Sequence, residues 1–181
     1  MLSSEELLFF TAQGVRKAFD TFFLRHQPGM YAFFLRMTNN RALAEDQTQE
    51  LFLKVYLASR FFDKQKNAVS WLYSLAWNQC KNHWRHQKVH QQFSRYEIAK
   101  QDFEEERLSE QIDRTLVEQI LEQSVQKLDQ EQILLITLRF QEEMSIKEIA
   151  VVLDCKEGTV KSRLFYTLKR LNEYMKVVDY K

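Results

Sequence analysis

Three glycines, Gly14, Gly29 and Gly158, and one proline, Pro28, are all the special turn residues that this chain of 181 residues contains. A β-sandwich or barrel needs a tight turn about every eight to twelve residues, and the favoured hairpin turns need positive φ at one or two positions. The chain must therefore be mostly helical. The same scarcity removes P-loops and dinucleotide fingerprints, whose clustered glycines let backbone amides approach phosphate. With 45% apolar and 28% charged residues, there is material for a packed core and for a solvated surface.

Cys80 and Cys155 have no CxxC or HxxxH partner nearby, so the sequence indicates neither a disulfide framework nor a zinc site. His86 and His90 stand four apart, but without a third ligand they read as part of a solvated basic face rather than a metal site. No metal and no cofactor is expected. The start, Met1-Leu-Ser-Ser-Glu-Glu, has no basic segment before an apolar run, and no apolar stretch approaches the ~18 residues of a membrane span. A cytoplasmic protein without direct membrane insertion is the expectation.

A net charge of +1 hides unlike segments. Residues 1–94 carry 12 basic and 7 acidic groups, residues 95–131 carry 5 and 11, and residues 132–181 carry 9 and 7. Between Asp63 and Glu97 there is no acidic residue, while Lys64, Lys66, Lys81, Arg85, Lys88 and Arg95 accumulate among Trp71, Tyr73, Trp77 and Trp84. Such a run is either a solvated face or the footprint of a polyanion, and the interleaved aromatics suit base stacking. The stretch around Gln101-Asp-Phe-Glu-Glu-Glu-Arg107 is too charged to pack into a core and reads as a linker. It divides the chain into domains at 1–94 and 112–181, joined by a flexible acidic segment at 95–111.

Apolar spacing predicts helices at 15–25 (Val15, Ala18, Phe19, Phe22, Phe23) and 30–37 (Met30, Phe33, Phe34, Met37), or one helix broken at Pro28-Gly29. Asn39-Asn40 offers an N-cap for a helix over 41–60, with Leu43, Ala44, Leu51, Phe52, Val55 and Tyr56 on its apolar side. A polar loop at 61–68 leads to a helix across 69–90. After the linker, Ile112, Leu116, Ile120 and Leu121 mark a helix, and Asp129 caps another from Gln130 to Phe140. Ser145-Ile-Lys-Glu148 is a capping box for a short helix ending near Leu153. Asp154-Cys155-Lys156 then turns into a helix over Glu157–Leu171, with Val160, Leu164, Leu168 and Leu171 on one side. Ala150 is small where two helices must approach, and Val160, ten residues later, plugs the space between them. This is helix–turn–helix spacing, with Asp154 where a turn glycine is usual. Lys156, Lys161, Arg163, Lys169 and Arg170 against Glu157 alone favour a DNA-reading helix. No arrangement of His, Ser, Cys or carboxylate suggests catalysis, so the chain is not read as an enzyme.

Ala44-Glu-Asp46-Gln-Thr-Gln49-Glu50-Leu-Phe52, Trp71-Leu72 with Ala76-Trp-Asn78, Asn82-His-Trp-Arg85, Ser145-Ile-Lys-Glu-Ile-Ala150 and Gly158-Thr-Val-Lys-Ser-Arg163 together resemble a bacterial RNA polymerase sigma factor of the extracytoplasmic-function group. The resemblance covers nearly the whole chain. It departs from the family at Tyr56, where Trp is common, at Asn82, where Asp is more usual, and at Tyr166, often basic. It implies an all-α fold of two small helical domains, a region 2 bundle and a region 4 helix–turn–helix. The implied partners are the RNA polymerase core (clamp and flap), promoter DNA and an anti-sigma factor.

By the same resemblance, Asp46, Gln49 and Glu50, which share a helix face at i, i+3 and i+4, bind core polymerase. The minus-ten element falls to Asn78 and Asn82, which can bond base edges, with Lys81 and Arg85 beside them for the single-strand backbone. Phe61 and Phe62 form one wall of a pocket for a flipped base. The minus-thirty-five element falls to Lys161, Ser162 and Phe165 in the N-terminal half of the last helix, with Thr159 beside them. Arg139 and Arg163 are placed on phosphates or groove edges. The competing reading is a conventional helix–turn–helix regulator, which dimerises on a palindrome and is not a polymerase subunit.

Overall fold

The structure is a computed structural model that describes residues 1–94, 123–125 and 127–179, with side chains to Gln87 and between Gln123 and Met175. The acidic segment at 95–111 and the helix predicted around Ile112, Leu116, Ile120 and Leu121 lie outside the described residues, as does the side chain of His90. Among the described residues all regular structure is helical.

The first group comprises α1 (Ser4–Ala12), α2 (Arg16–Thr38), α3 (Arg41–Ala58), a 3₁₀ turn (Ser59–Phe61) and α4 (Ala68–Ser94). The N-terminal helix is not among the predicted elements. Its Ser3-x-x-Glu6 start is a complete capping box, Ser3 Oγ accepting from Glu6 N and Glu6 Oε2 from Ser3 N. Leu7 and Leu8 seat it on the bundle. Of the two alternatives at Pro28, the structure has one continuous helix. Pro28 and Leu24, whose carbonyl loses its helical donor, are both exposed. Burial of Phe22, Met30, Phe33, Phe34 and Met37 holds the two halves in line. Asn39 ends α2 in the left-handed region (φ 50°) and Asn40 caps α3 by accepting from Leu43 N.

The second group comprises α5 (Gln130–Ile136), which widens into a π-helical turn (Thr137–Gln141) before reaching Phe140, then α6 (Ile146–Leu153) and α7 (Glu157–Asp179). Asp129 and Ser145 both form full capping boxes, and Asp154 takes φ 50° in the tight turn. Val160 and Ala150 are buried between α6 and α7 as the spacing predicted. Three predicted apolar positions are corrected. Val15, 45% exposed, is the N-cap of α2 rather than part of it. Leu168 is 38% exposed and Thr167 lies inside in its place, its hydroxyl donating to Arg163 O. On a 3.6-residue helix seven positions return within about 20° of the start, whereas eight overshoot by about 80°. Tyr56 is 48% exposed, touching Phe19 only by its edge.

The two groups share one buried cluster, α4 packing on α6 and α2 on α5. Asn67 Nδ2 donates to Glu148 Oε1 at 3.2 Å. Tyr73 is buried beside Glu142; burial first, then that neighbouring carboxylate, pushes its pKa up, so it stays protonated at any physiological pH.

Candidate nucleic-acid interface

On α3, Ala44, Gln47, Thr48, Leu51, Phe52 and Val55 face inward, which leaves Asp46, Gln49 and Glu50 together on the exposed side. Glu50 holds Lys54 Nζ at 2.6 Å, and Lys54 in turn donates to Gln79 Oε1 on α4 at 3.1 Å. Gln79 Nε2 donates to Gln47 O at 2.7 Å, so the acidic helix is pinned to α4 from beneath. Leu53 and Leu57 extend the same exposed face.

Helix α4 separates two faces cleanly. Leu72, Tyr73, Ala76, Trp77 and Cys80 form its buried stripe, and Asn78, Lys81, Asn82 and Arg85 its exposed one. The predicted stacking role of Tyr73 and Trp77 is therefore corrected. Their spacing at 73, 76, 77 and 80 places them against the bundle, and Phe33 meets the Tyr73 ring edge-on at 5.4 Å. Trp71 and Trp84 remain partly exposed, and Trp84 packs on Trp77 at 5.5 Å. Lys81 Nζ lies 5.8 Å over the Trp77 ring. Phe62 rests half-buried on Trp71 at 5.0 Å, while Phe61 is 78% exposed with the Arg60 guanidinium over its ring. Asp63 organises the loop between them and α4, its carboxylate accepting from Gln65 N and its carbonyl from Lys66 N.

On α7 the exposed side carries Lys161, Ser162 and Phe165, and Phe165 packs edge-on against Tyr166 at 5.5 Å. Thr159 is partly buried, and its carbonyl accepts from Ser162 Oγ. Arg163 is already engaged with Glu131 of α5, and Arg139 donates from Nη1 to Met144 O at 2.9 Å. Each retains further guanidinium donors. A Cβ built at Gly158 meets nothing within 4 Å, so packing does not require glycine in this first turn. Tyr166, the position noted above as often basic in the family, is exposed beside Phe165.

The first group coincides with a match to Sigma-70 region 2 at residues 22–89, and the second with a match to Sigma-70, region 4, at residues 118–171. The RNA polymerase sigma-H factor of Pseudomonas aeruginosa is 30% identical over 163 residues, 84% of this chain and 83% of the relative. The ECF RNA polymerase sigma-E factor of Escherichia coli K12 is 30% identical over 172 residues, 91% of this chain and 90% of the relative. The chain belongs to the sigma-70 family, in its extracytoplasmic-function group. Two solved structures share the fold of this sigma factor, each with a TM-score of 0.70. One is the sigma factor RpoE in complex with the anti-sigma factor NepR from Bartonella quintana, 24% identical over 89% of this chain and 98% of that one. The other is CnrH in complex with the cytosolic domain of CnrY, 18% identical over 96% and 97%. As a sigma factor the chain serves promoter-directed transcription initiation, with the helix–turn–helix of region 4 as its DNA-binding part. Among the described residues no helix is long and apolar enough to cross a membrane.

Proposed function

We propose that this sigma factor acts as one chain on two dissimilar promoter elements, with domains at 1–94 and 112–181 joined through 95–111. The observation that carries this reading is the pair of exposed polar and basic faces on separate helical groups, Asn78, Lys81, Asn82 and Arg85 on α4 and Lys161, Ser162 and Phe165 on α7. A dimeric regulator reads a palindrome with two copies of one helix and has no use for the first face. Run-off transcription with purified core polymerase on genomic fragments tests it. Discrete transcripts that require the chain support the reading, and none at any fragment refutes it.

In this reading Asp46, Gln49 and Glu50 pair with basic groups on the polymerase clamp, and the flap receives region 4. The work is done in the cytoplasm, under the control of an anti-sigma factor of the kind that the two structural relatives bind. At the minus-ten element Asn78 and Asn82 bond the edges of unstacked bases, Lys81 and Arg85 hold the strand, and Phe61 and Phe62 wall a flipped base. Replacing Asn78 and Asn82 together by Ala is expected to reduce permanganate reactivity of the minus-ten thymines by at least about tenfold, since each lost bidentate contact is worth ~1–3 kcal/mol. Parental reactivity would place opening on another face.

At the minus-thirty-five element the first turns of α7 enter the major groove. Lys161 donates to guanine acceptors, Phe165 covers a thymine methyl, and Thr159, Ser162, Arg139 and Arg163 contact phosphates or groove edges. The open space at Gly158 lets backbone come close to phosphate at the positive end of the helix. Lys161→Ala in the holoenzyme is expected to cost ~1–3 kcal/mol and to relax preference at one base pair, whereas losing a phosphate contact weakens all sequences and lowers the salt slope by about one. Unchanged preference and affinity, measured by competition on promoter fragments, would take Lys161 out of the interface.

A further inference from the structure

The loop that carries Phe61 and Phe62 is held from a helix that neither family match includes. Both begin after α1, at residues 22 and 118. From α1, the Glu5 carboxylate crosses to the start of α4 and accepts the Ala68 backbone N–H at 2.9 Å. Asn67 caps the same turn by accepting from Ser70 N at 2.8 Å. One turn further along α1, on the same side, the ring of Phe9 lies 5.1 Å from Lys64 Nζ, so α1 touches the loop at its middle as well as its end. The helix itself is fastened by buried Leu7 and Leu8, by the Ser4 Oγ–His26 Nε2 bond at 2.8 Å, and by Arg25, which donates to Leu2 O and Ser4 Oγ.

We propose that Glu5 is a positioning residue for the minus-ten pocket, fixing the 61–67 loop so that Phe61 and Phe62 meet the flipped base in one geometry. The inference rests on the pocket reading given above and extends it to a residue that touches no DNA. Burial acts to raise the Glu5 pKa, but the bonds from Ala68 N, its own backbone N–H and Ser3, with the nearby His26, outweigh it and the net shift is downward. The group is thus a carboxylate at neutral pH, an acceptor matched to the positive end of α4. Its bond lies wholly within the first helical group. A further side-chain tie on this loop, Asn67 to Glu148, joins the two groups and is lost if they separate on a promoter.

Holoenzyme binding to single-stranded minus-ten oligonucleotides with each of the four bases at the flipped position tests the proposal, using a promoter recovered by run-off transcription. Glu5→Ala is expected to lower the preference for the cognate base about tenfold, the equivalent of ~1.4 kcal/mol, with core affinity unchanged. Glu5→Gln, whose amide oxygen still accepts from Ala68, keeps most of the preference. Glu6→Ala removes the α1 capping box without touching α4 and leaves the preference at the parental value. A Glu5→Ala holoenzyme with parental preference, while Phe61→Ala loses it, overturns the positioning role. So does an equal loss in Glu6→Ala, which would mean that only the folding of α1 matters. If the Phe61→Ala and Phe62→Ala holoenzymes also keep the parental preference, the pocket reading fails and the proposal fails with it.

Discussion

A sigma factor cross-linked between positions 67 and 148 is expected to give no promoter-specific transcript, and to recover when the cross-link is cleaved. The reason is reach. Elements named for positions ten and thirty-five lie ~25 base pairs apart, about 85 Å along B-form DNA at 3.4 Å per step. A compact chain of this length is only about 40 Å across, and here the two helical groups are packed on one another through α4 and α6. The 17 linker residues from 95 to 111 can extend to ~60 Å by covalent geometry alone. Contact between the groups is therefore incompatible with reading both elements at once, and separation breaks the Asn67–Glu148 bond. The variant is Asn67→Cys with Glu148→Cys, joined by a reducible bis-maleimide in a Cys155→Ser background. Cys80 does not compete, because burial pushes its thiol up to about 12. Losing the Asn67 cap costs about 1 kcal/mol, and Glu148→Cys leaves the Ser145 cap of α6 in place, so the uncross-linked protein serves as its own folding control. Full transcription from the locked chain would mean that the groups never part, and the two-element reading would have to be abandoned.

What the sequence discloses is chemistry that acts over three or four residues. Asn40, Asp129 and Ser145 announce helix starts because their side chains satisfy amides of the next turn. Asp154 tolerates the left-handed turn for a reason equally local. The same chemistry stands at Ser3-x-x-Glu6, yet the run Leu7-Leu8-Phe9-Phe10 that follows has no helical period, and the helix stayed invisible. Residue type misleads where the face is unknown. Trp77 and Tyr73 look suited to stacking on bases until the other residues of their helix claim that side for the bundle. Leu168 looks like core until the helical angle awards the place to Thr167. Family resemblance placed Asp46, Gln49, Glu50, Asn78, Lys81 and Asn82, and all of them are exposed. Nothing local points to Glu5 reaching Ala68 or to Asn67 reaching Glu148, because partners 63 and 81 residues apart meet only through the packing of α1, α4 and α6.

Replacing Asp46, Gln49 and Glu50 by Ala together is expected to weaken binding to core polymerase by more than about a hundredfold while leaving the helical circular dichroism signal unchanged. The three side chains are exposed, so no buried contact is lost, and Ala is the best helix former, so α3 keeps its shape. The triple variant removes the tie from Glu50 to Lys54, an exposed i, i+4 pair of the kind worth only a few tenths of a kcal/mol. Lys54 retains its bond to Gln79. Against that small internal change stands the loss of two carboxylates and an amide from the face proposed for the clamp. A charge-assisted hydrogen bond across an interface is worth ~1.5–3 kcal/mol, and two such losses reach a hundredfold or more. The apolar continuation of the face gives a second comparison. Leu53→Ala or Leu57→Ala removes exposed area without charge, and each is expected to weaken core binding without changing its salt dependence, whereas the triple variant flattens that dependence. Fluorescence anisotropy of labelled sigma factor titrated with core polymerase at two salt concentrations reads both effects. Parental affinity in the triple variant would place the polymerase contact on another face of the bundle.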